Sequence, residues 1–111
     1  MVPKPLLWLG TSRNDVREFP EMARGKVGHE LFLIQQGLTP SDWKPMTTVG
    51  PGVVELRIHT GEEFRVIYLA RFEEGIYVLH AFEKRSRQTR TVDINLAQKR
   101  LRDLIRSRSR R

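Results

Sequence analysis

The sequence has no cysteine among its 111 residues, which excludes a disulfide scaffold and any thiolate metal site. It has no apolar run approaching the roughly 20 residues that span a bilayer. Met1 to Gly10 carries too short an apolar core for a signal peptide and lacks a small-residue cleavage site. The chain is therefore expected in the cytoplasm, with no membrane partner. The three histidines, His29, His59 and His80, show no ligand spacing, so no metal is expected. Ser12, Ser41, Ser86, Ser107 and Ser109 fall in caps, loops or the tail, and none sits in a glycine elbow. Gly50-Pro51-Gly52 is too short for a phosphate-binding loop, and Pro51 removes an amide that such a loop needs. A small-molecule cofactor is not expected. Internal repeats are absent as well.

What is present is the composition of an ordinary folded domain, 39% hydrophobic and 30% charged, with a length that suits a single core. Lys and Arg outnumber Asp and Glu by 20 to 13, a net charge of +7. The excess is not spread evenly. Residues 84 to 111 hold eleven basic and two acidic groups, a balance of +9, while residues 1 to 83 sum to −2. A polyanionic partner is implied for the last quarter of the chain.

Leu6 to Leu9 reads as a short buried strand ended by Gly10. Thr11-Ser12 offers an N-cap, with Asp15 placed to complement first-turn amides. Val16 and Phe19 give a short helix one apolar edge. A second helix is expected over Pro20 to Gln36, because Val27, Leu31 and Ile34 recur at helical spacing and Gly37 suits a C-cap. Residues 38 to 52, broken by Pro40, Pro45, Gly50, Pro51 and Gly52, read as a loop. Three strands are then expected, Val53–Thr60, Glu63–Phe72 and Ile76–Lys84, separated by hairpin turns at Gly61 and Glu74-Gly75. One face of this meander should pack on helices and the other should carry polar groups. Lys84 to Arg90 is a polar connector. A last helix from about Thr91 carries an apolar stripe of Ile94, Ala97, Leu101, Leu104 and Ile105. The fold class is thus α+β, with a small, mostly antiparallel four-stranded sheet in the order β-α-α-β-β-β-α. A domain over 1–106 and a basic, solvated tail over 107–111 complete the expectation.

Chemistry concentrates on the meander. Glu55 and Arg57 share a face of the first strand, Arg65 lies inside the second, and His80, Phe82 and Lys84 share a parity on the third. If the faces coincide, they form one polar cluster with an aromatic in it. Such a cluster suits RNA cleavage by the ribose 2′-OH, which needs a base, an acid for the leaving 5′-oxygen, and cations for the phosphorane. Phe82 or Tyr68 would stack an unpaired base. The plainer reading is that Glu55 makes cross-strand ion pairs with Arg57 and Arg65 on a solvated face, and that His80 is a hydrogen-bonded core histidine.

Glu55-Leu56-Arg57, Phe64-Arg65-Val66-Ile67-Tyr68, the segment Leu79 to Arg85, and Asn95-Leu96-Ala97-Gln98-Lys99-Arg100 resemble, in order and spacing, the phage-related HigB-like branch of the RelE/ParE type II toxin superfamily. The resemblance implies a RelE-like fold and a ribosome-dependent, metal-independent mRNA endoribonuclease that inhibits translation. The implied partners are a small helix-turn-helix antitoxin, the ribosome and mRNA. Arg65, in Arg-Val-Ile-Tyr, matches the arginine that stabilises the scissile phosphate. His80 and Glu55 match positions with suggested acid–base roles. Arg57, Lys84, Arg85 and Arg87 correspond to RNA-holding basic positions, and Tyr68 and Phe82 to aromatic ones. The sequence departs from the branch at Arg90, where a proline is usual. Two alternatives stay open: a ParE-like toxin that poisons DNA gyrase without cutting RNA, and a non-catalytic basic domain that binds nucleic acid.

Overall fold

The computed structural model describes residues 3–88 and 90–110. Met1 and Val2 of the N-terminal stretch, Thr89 of the connector and Arg111 of the tail lie outside the described residues. The order is β1 (Leu6–Trp8), α1 (Ser12–Arg17), α2 (Glu21–Gln35), β2 (Trp43–Pro45), β3 (Val53–His59), β4 (Glu63–Leu69), β5 (Ile76–Glu83) and α3 (Thr91–Ser109). The strands form one sheet in the order β1-β5-β4-β3-β2, with β1 parallel to β5 and the other pairs antiparallel.

The sheet therefore has five strands rather than four. The addition, β2, falls in the stretch expected to be a loop. It is exposed along its whole length and is held by its ladder to β3, through Trp43↔Leu56, Lys44↔Glu55 and Pro45↔Val54. A three-residue edge strand carries no periodicity of its own, and proline is tolerated there because no further strand needs its N–H.

Helices pack on both faces of the sheet, and the face under α3 also carries the expected polar groups. Val27, Leu31 and Ile34 of α2 and Val16 of α1 pack on Leu56, Val66, Tyr68 and Val78. On the other face, Ala97 and Leu104 of α3 pack on Val53, Ile67, Leu69, Tyr77 and Leu79. α2 ends as its sequence requires: Gly37 takes φ +78°, its N–H bonds Ile34, and Leu38 N–H reaches back to Leu33.

One irregularity matters for function. Ile67 pairs with His80 but Tyr68 pairs with Val78, so Leu79 is an extra residue in β5. Strict alternation would put Leu79 and His80 on opposite faces. The bulge turns both toward α3. Arg100 of α3 donates from Nη1 to the Leu79 carbonyl at 2.8 Å and from Nη2 to Thr11 Oγ1 at 3.1 Å.

The last helix also runs further than expected. Ser107–Ser109, read from sequence as solvated tail, are helical. Arg108 explains this, donating from Nε and Nη2 to Glu74 at 2.7 and 3.1 Å while its guanidinium lies 3.6 Å from the Phe72 ring centroid. Arg100 and Arg108 thus serve the fold, and the basic surface of α3 is left to Lys99, Arg102 and Arg106, with Arg110 just past its end, all exposed.

Candidate functional site

Residues directly opposite one another in a ladder share a face, so the register sorts the α3 face of the sheet into rows. At one end lie Val53, Leu69 and Tyr77, all apolar and under α3. The next row is Glu55, Ile67 and His80, and the one beyond is Arg57, Arg65 and Phe82. Glu63 follows, and the N–H of Lys84 bonds its carbonyl at 2.7 Å. This face turns from apolar to polar at Glu55 on β3 and His80 on β5, and one row later at Arg65 on β4.

Arg57 and Arg65 stand directly across the β3–β4 ladder, a like-charge pairing that destabilises a sheet unless something offsets it. Glu55 supplies the offset. Its Oε1 lies 3.3 Å from Arg57 Nε and 3.7 Å from Arg65 Nε, and the residue is 0% exposed. Arg65 is 5% exposed and donates from Nη1 to the Phe64 carbonyl at 3.0 Å and to Glu63 at 3.1 Å. Lys84 borders this pair. Burial pulls its pKa below the ordinary lysine value, with Arg65, Arg57 and Lys44 pushing the same way and Glu55 opposing them. Four cations therefore gather around one buried carboxylate.

His80 sits one row inward and is 6% exposed. Its Nε2 lies 2.7 Å from Asp93 Oδ1 in the first turn of α3. A carboxylate can only accept, so the imidazole donates through Nε2. Nδ1 is buried with no hydrogen-bond partner among the described residues. The Phe82 ring stacks on it, centroids 5.2 Å apart and planes 20° from parallel. Phe82, Lys84, Arg85, Ser86, Arg90 and Asp93 help line a cleft of about 370 Å³ between the end of β5 and the start of α3.

Residues 14–102 match the phage-derived protein Gp49-like (DUF891) family. This chain belongs to that family. The Gp49-like family is RelE-related and toxin-like, and the matched span runs from α1 into α3, including every residue of the cluster. No curated protein gives a match.

For this Gp49-like chain the rows bring together Glu55, Arg57, Arg65, Phe82 and Lys84, as the parity argument expects. The ion pairs of the plainer reading are present too, but Glu55 is enclosed rather than solvated. His80 shares the face but is enclosed and committed to Asp93. Arg85 and Arg87 are exposed on the connector, and a bond from Arg85 Nη2 to Glu83 at 3.1 Å raises the arginine's pKa. Tyr68 is separated from the cluster. It is three residues from Arg65 in a regular strand, so it points to the α2 face, where it is 4% exposed. Burial, aided by Glu30, pushes its phenol up to about 12. Its expected role in holding RNA alongside Arg65 is corrected on that ground.

Two members of the site escaped the sequence reading. Lys44 lies on β2, where no pattern marks a strand. Asp93 is one of only two acids among the last 28 residues, and that rarity was the available signal.

Proposed function

We propose that this chain is a type II toxin of the HigB-like branch of the RelE/ParE superfamily, acting as a ribosome-dependent mRNA endoribonuclease in the cytoplasm. The observation that carries the reading is that Arg57 and Arg65 share one row of the sheet with Lys84 and Lys44 beside them, four cations held close around one buried carboxylate. Such repulsion costs stability, and a bound phosphate relieves it.

In the proposed reaction the ribose 2′-hydroxyl gives its proton to solvent water as its oxygen attacks the adjacent phosphorus, the O2′–P bond forms, and the P–O5′ bond breaks. Arg65 and Arg57 stabilise the added negative charge of the phosphorane. Lys84, whose pKa is lowered and which borders the open end of the row, gives its proton to the departing 5′-oxygen. Glu55 is a positioning residue that orients both guanidiniums, and the enclosed His80 supports Phe82. The exposed basic groups Lys99, Arg102 and Arg106 of α3, with Arg110 after it, dock ribosomal RNA, and a helix-turn-helix antitoxin with acidic contact groups would neutralise the row.

The test is mRNA cleavage on translating ribosomes. Arg65→Lys keeps the charge but loses the planar fork, and Lys84→Gln loses the proton donor. Each should lower the rate about a hundredfold or more, with circular dichroism unchanged. If the purified chain leaves mRNA intact yet inhibits gyrase in supercoiling assays, the ParE-like alternative replaces this one.

A further inference from the structure

The cleft between β5 and α3 adjoins the cation row, sharing Phe82 and Lys84 with it, and has the parts of a base-reading pocket. Its aromatic wall is Phe82, held in orientation by the ring of His80. Two acidic residues line it: Asp93, which is 6% exposed, and Glu83, which accepts from Arg85 Nη2 at 3.1 Å. One oxygen of Asp93 is committed to His80 at 2.7 Å. The other has a long contact with Arg90 Nε, at 3.4 Å. Lys84, Arg85 and Arg90 also line the cleft and, with Glu83 pairing Arg85, leave it a net positive lining.

We infer that this cleft binds one unstacked base of a single-stranded RNA, with the base on Phe82 and an exocyclic amine donating to Asp93 Oδ2. The inference deepens the nuclease reading and rests on it for the identity of the strand. The chemistry follows from the parts. A purely electrostatic groove needs no aromatic platform, and Asp93 Oδ2, with only a long contact to Arg90, keeps capacity to accept from a base. Cytosine offers such a donor at N4, whereas uracil presents an oxygen at the same position. Aspartate accepts from the first and repels the second. Stacking on Phe82 is indifferent to base identity, because every base has a π-face.

The deciding measurement is equilibrium binding by fluorescence anisotropy. The probes are two fully 2′-O-methylated pentanucleotides, five uracils and the same strand with a central cytosine, neither of which can be cut. The wild-type chain should bind the cytosine strand about tenfold more tightly. Asp93→Asn exchanges the acceptor for an amide that donates to uracil O4, so the preference should reverse. Phe82→Leu should weaken both strands by about tenfold and leave their ratio unchanged. A reversed preference is not the result of a loosened fold, which would weaken both strands alike. Equal affinity of the wild type for the two strands overturns the inference, as does a cytosine preference that survives Asp93→Asn. Should Asp93→Asn fail to fold, a cytosine preference in the wild type together with a uniform loss in Phe82→Leu upholds the inference, and a Phe82→Leu chain that binds as well as the wild type overturns it. A clear cytosine preference in a chain that cuts no mRNA upholds the pocket and overturns the nuclease.

Discussion

Replacing Glu55 by glutamine removes one charge and almost no volume from the centre of the cation row. The distances of 3.3 Å to Arg57 and 3.7 Å to Arg65 correspond to gross attractions of about 5 and about 4.5 kcal/mol at an effective dielectric constant of about 20. Desolvation of a fully buried carboxylate offsets a large part of this. Breaking a buried ion pair by removing one partner costs about 3–5 kcal/mol. Here the Arg57 side chain is 29% exposed and can turn toward water, so the expected loss is about 2–4 kcal/mol. For a chain of this size that is a fall in Tm of about 8–16 °C. Adding Arg57→Gln to Glu55→Gln removes the stranded like-charge pair, and the double variant should recover about 1–2 kcal/mol relative to additivity. The same loss of negative charge should strengthen anion binding, so sulfate should raise the Tm of Glu55→Gln by more than it raises that of the wild type. Stability and anion affinity thus move in opposite directions, as they do where a fold tolerates strain for the sake of a ligand. Calorimetric scans with and without sulfate read both quantities. A shift in Tm of less than about 2 °C would refute the claim that Glu55 offsets the two arginines. An equal sulfate effect in the two chains would refute the anion site.

Three further outcomes can be checked by titration and mutation. Lys84 has a folded pKa below its ordinary 10.5, so between the two values the unfolded chain binds the extra proton. Stability from urea titration should therefore rise as pH rises through that window, and Lys84→Met should flatten the rise. Glu74 is held down to about 2 by Arg108, by its own backbone and by Tyr77. The stability it contributes is present above its ordinary 4.5 and is lost as pH falls toward 2, and Glu74→Gln should abolish that acid limb and expose the last turn of α3 to hydrogen exchange. Tyr68→Phe, on the α2 face, should leave RNA binding by anisotropy unchanged, and a severalfold loss would contradict the assignment of faces.

Much of the site was legible in the sequence because a strand's side chains alternate strictly. Glu55 with Arg57, and Phe82 with Lys84, follow from spacing of two, and the short hairpin turn at Gly61 brings β3 and β4 into register. That argument fails where the backbone departs from the alternation. The extra residue at Leu79 turns two consecutive side chains to one face, and no local pattern in Leu79-His80-Ala81 announces it. The expected helices were legible for a similar reason, since the burial of Val27, Leu31 and Ile34 recurs with the helical turn.

Composition and order alone thus determined the α+β class, the three-stranded meander, the placement of charge in the last quarter and the residue types of the cluster. Tertiary structure decided the rest. Pairing to β3 made Lys44 part of the site. The faces placed Tyr68 away from Arg65, and the reach of α3 across the sheet gave His80 its partner in Asp93. It also turned Arg100 and Arg108 from surface charge into supports of the fold. The division has one physical cause. Periodicity is written along a single segment, whereas an ion pair, a bulge or an edge strand exists only once two distant segments have met, and its energy belongs to both.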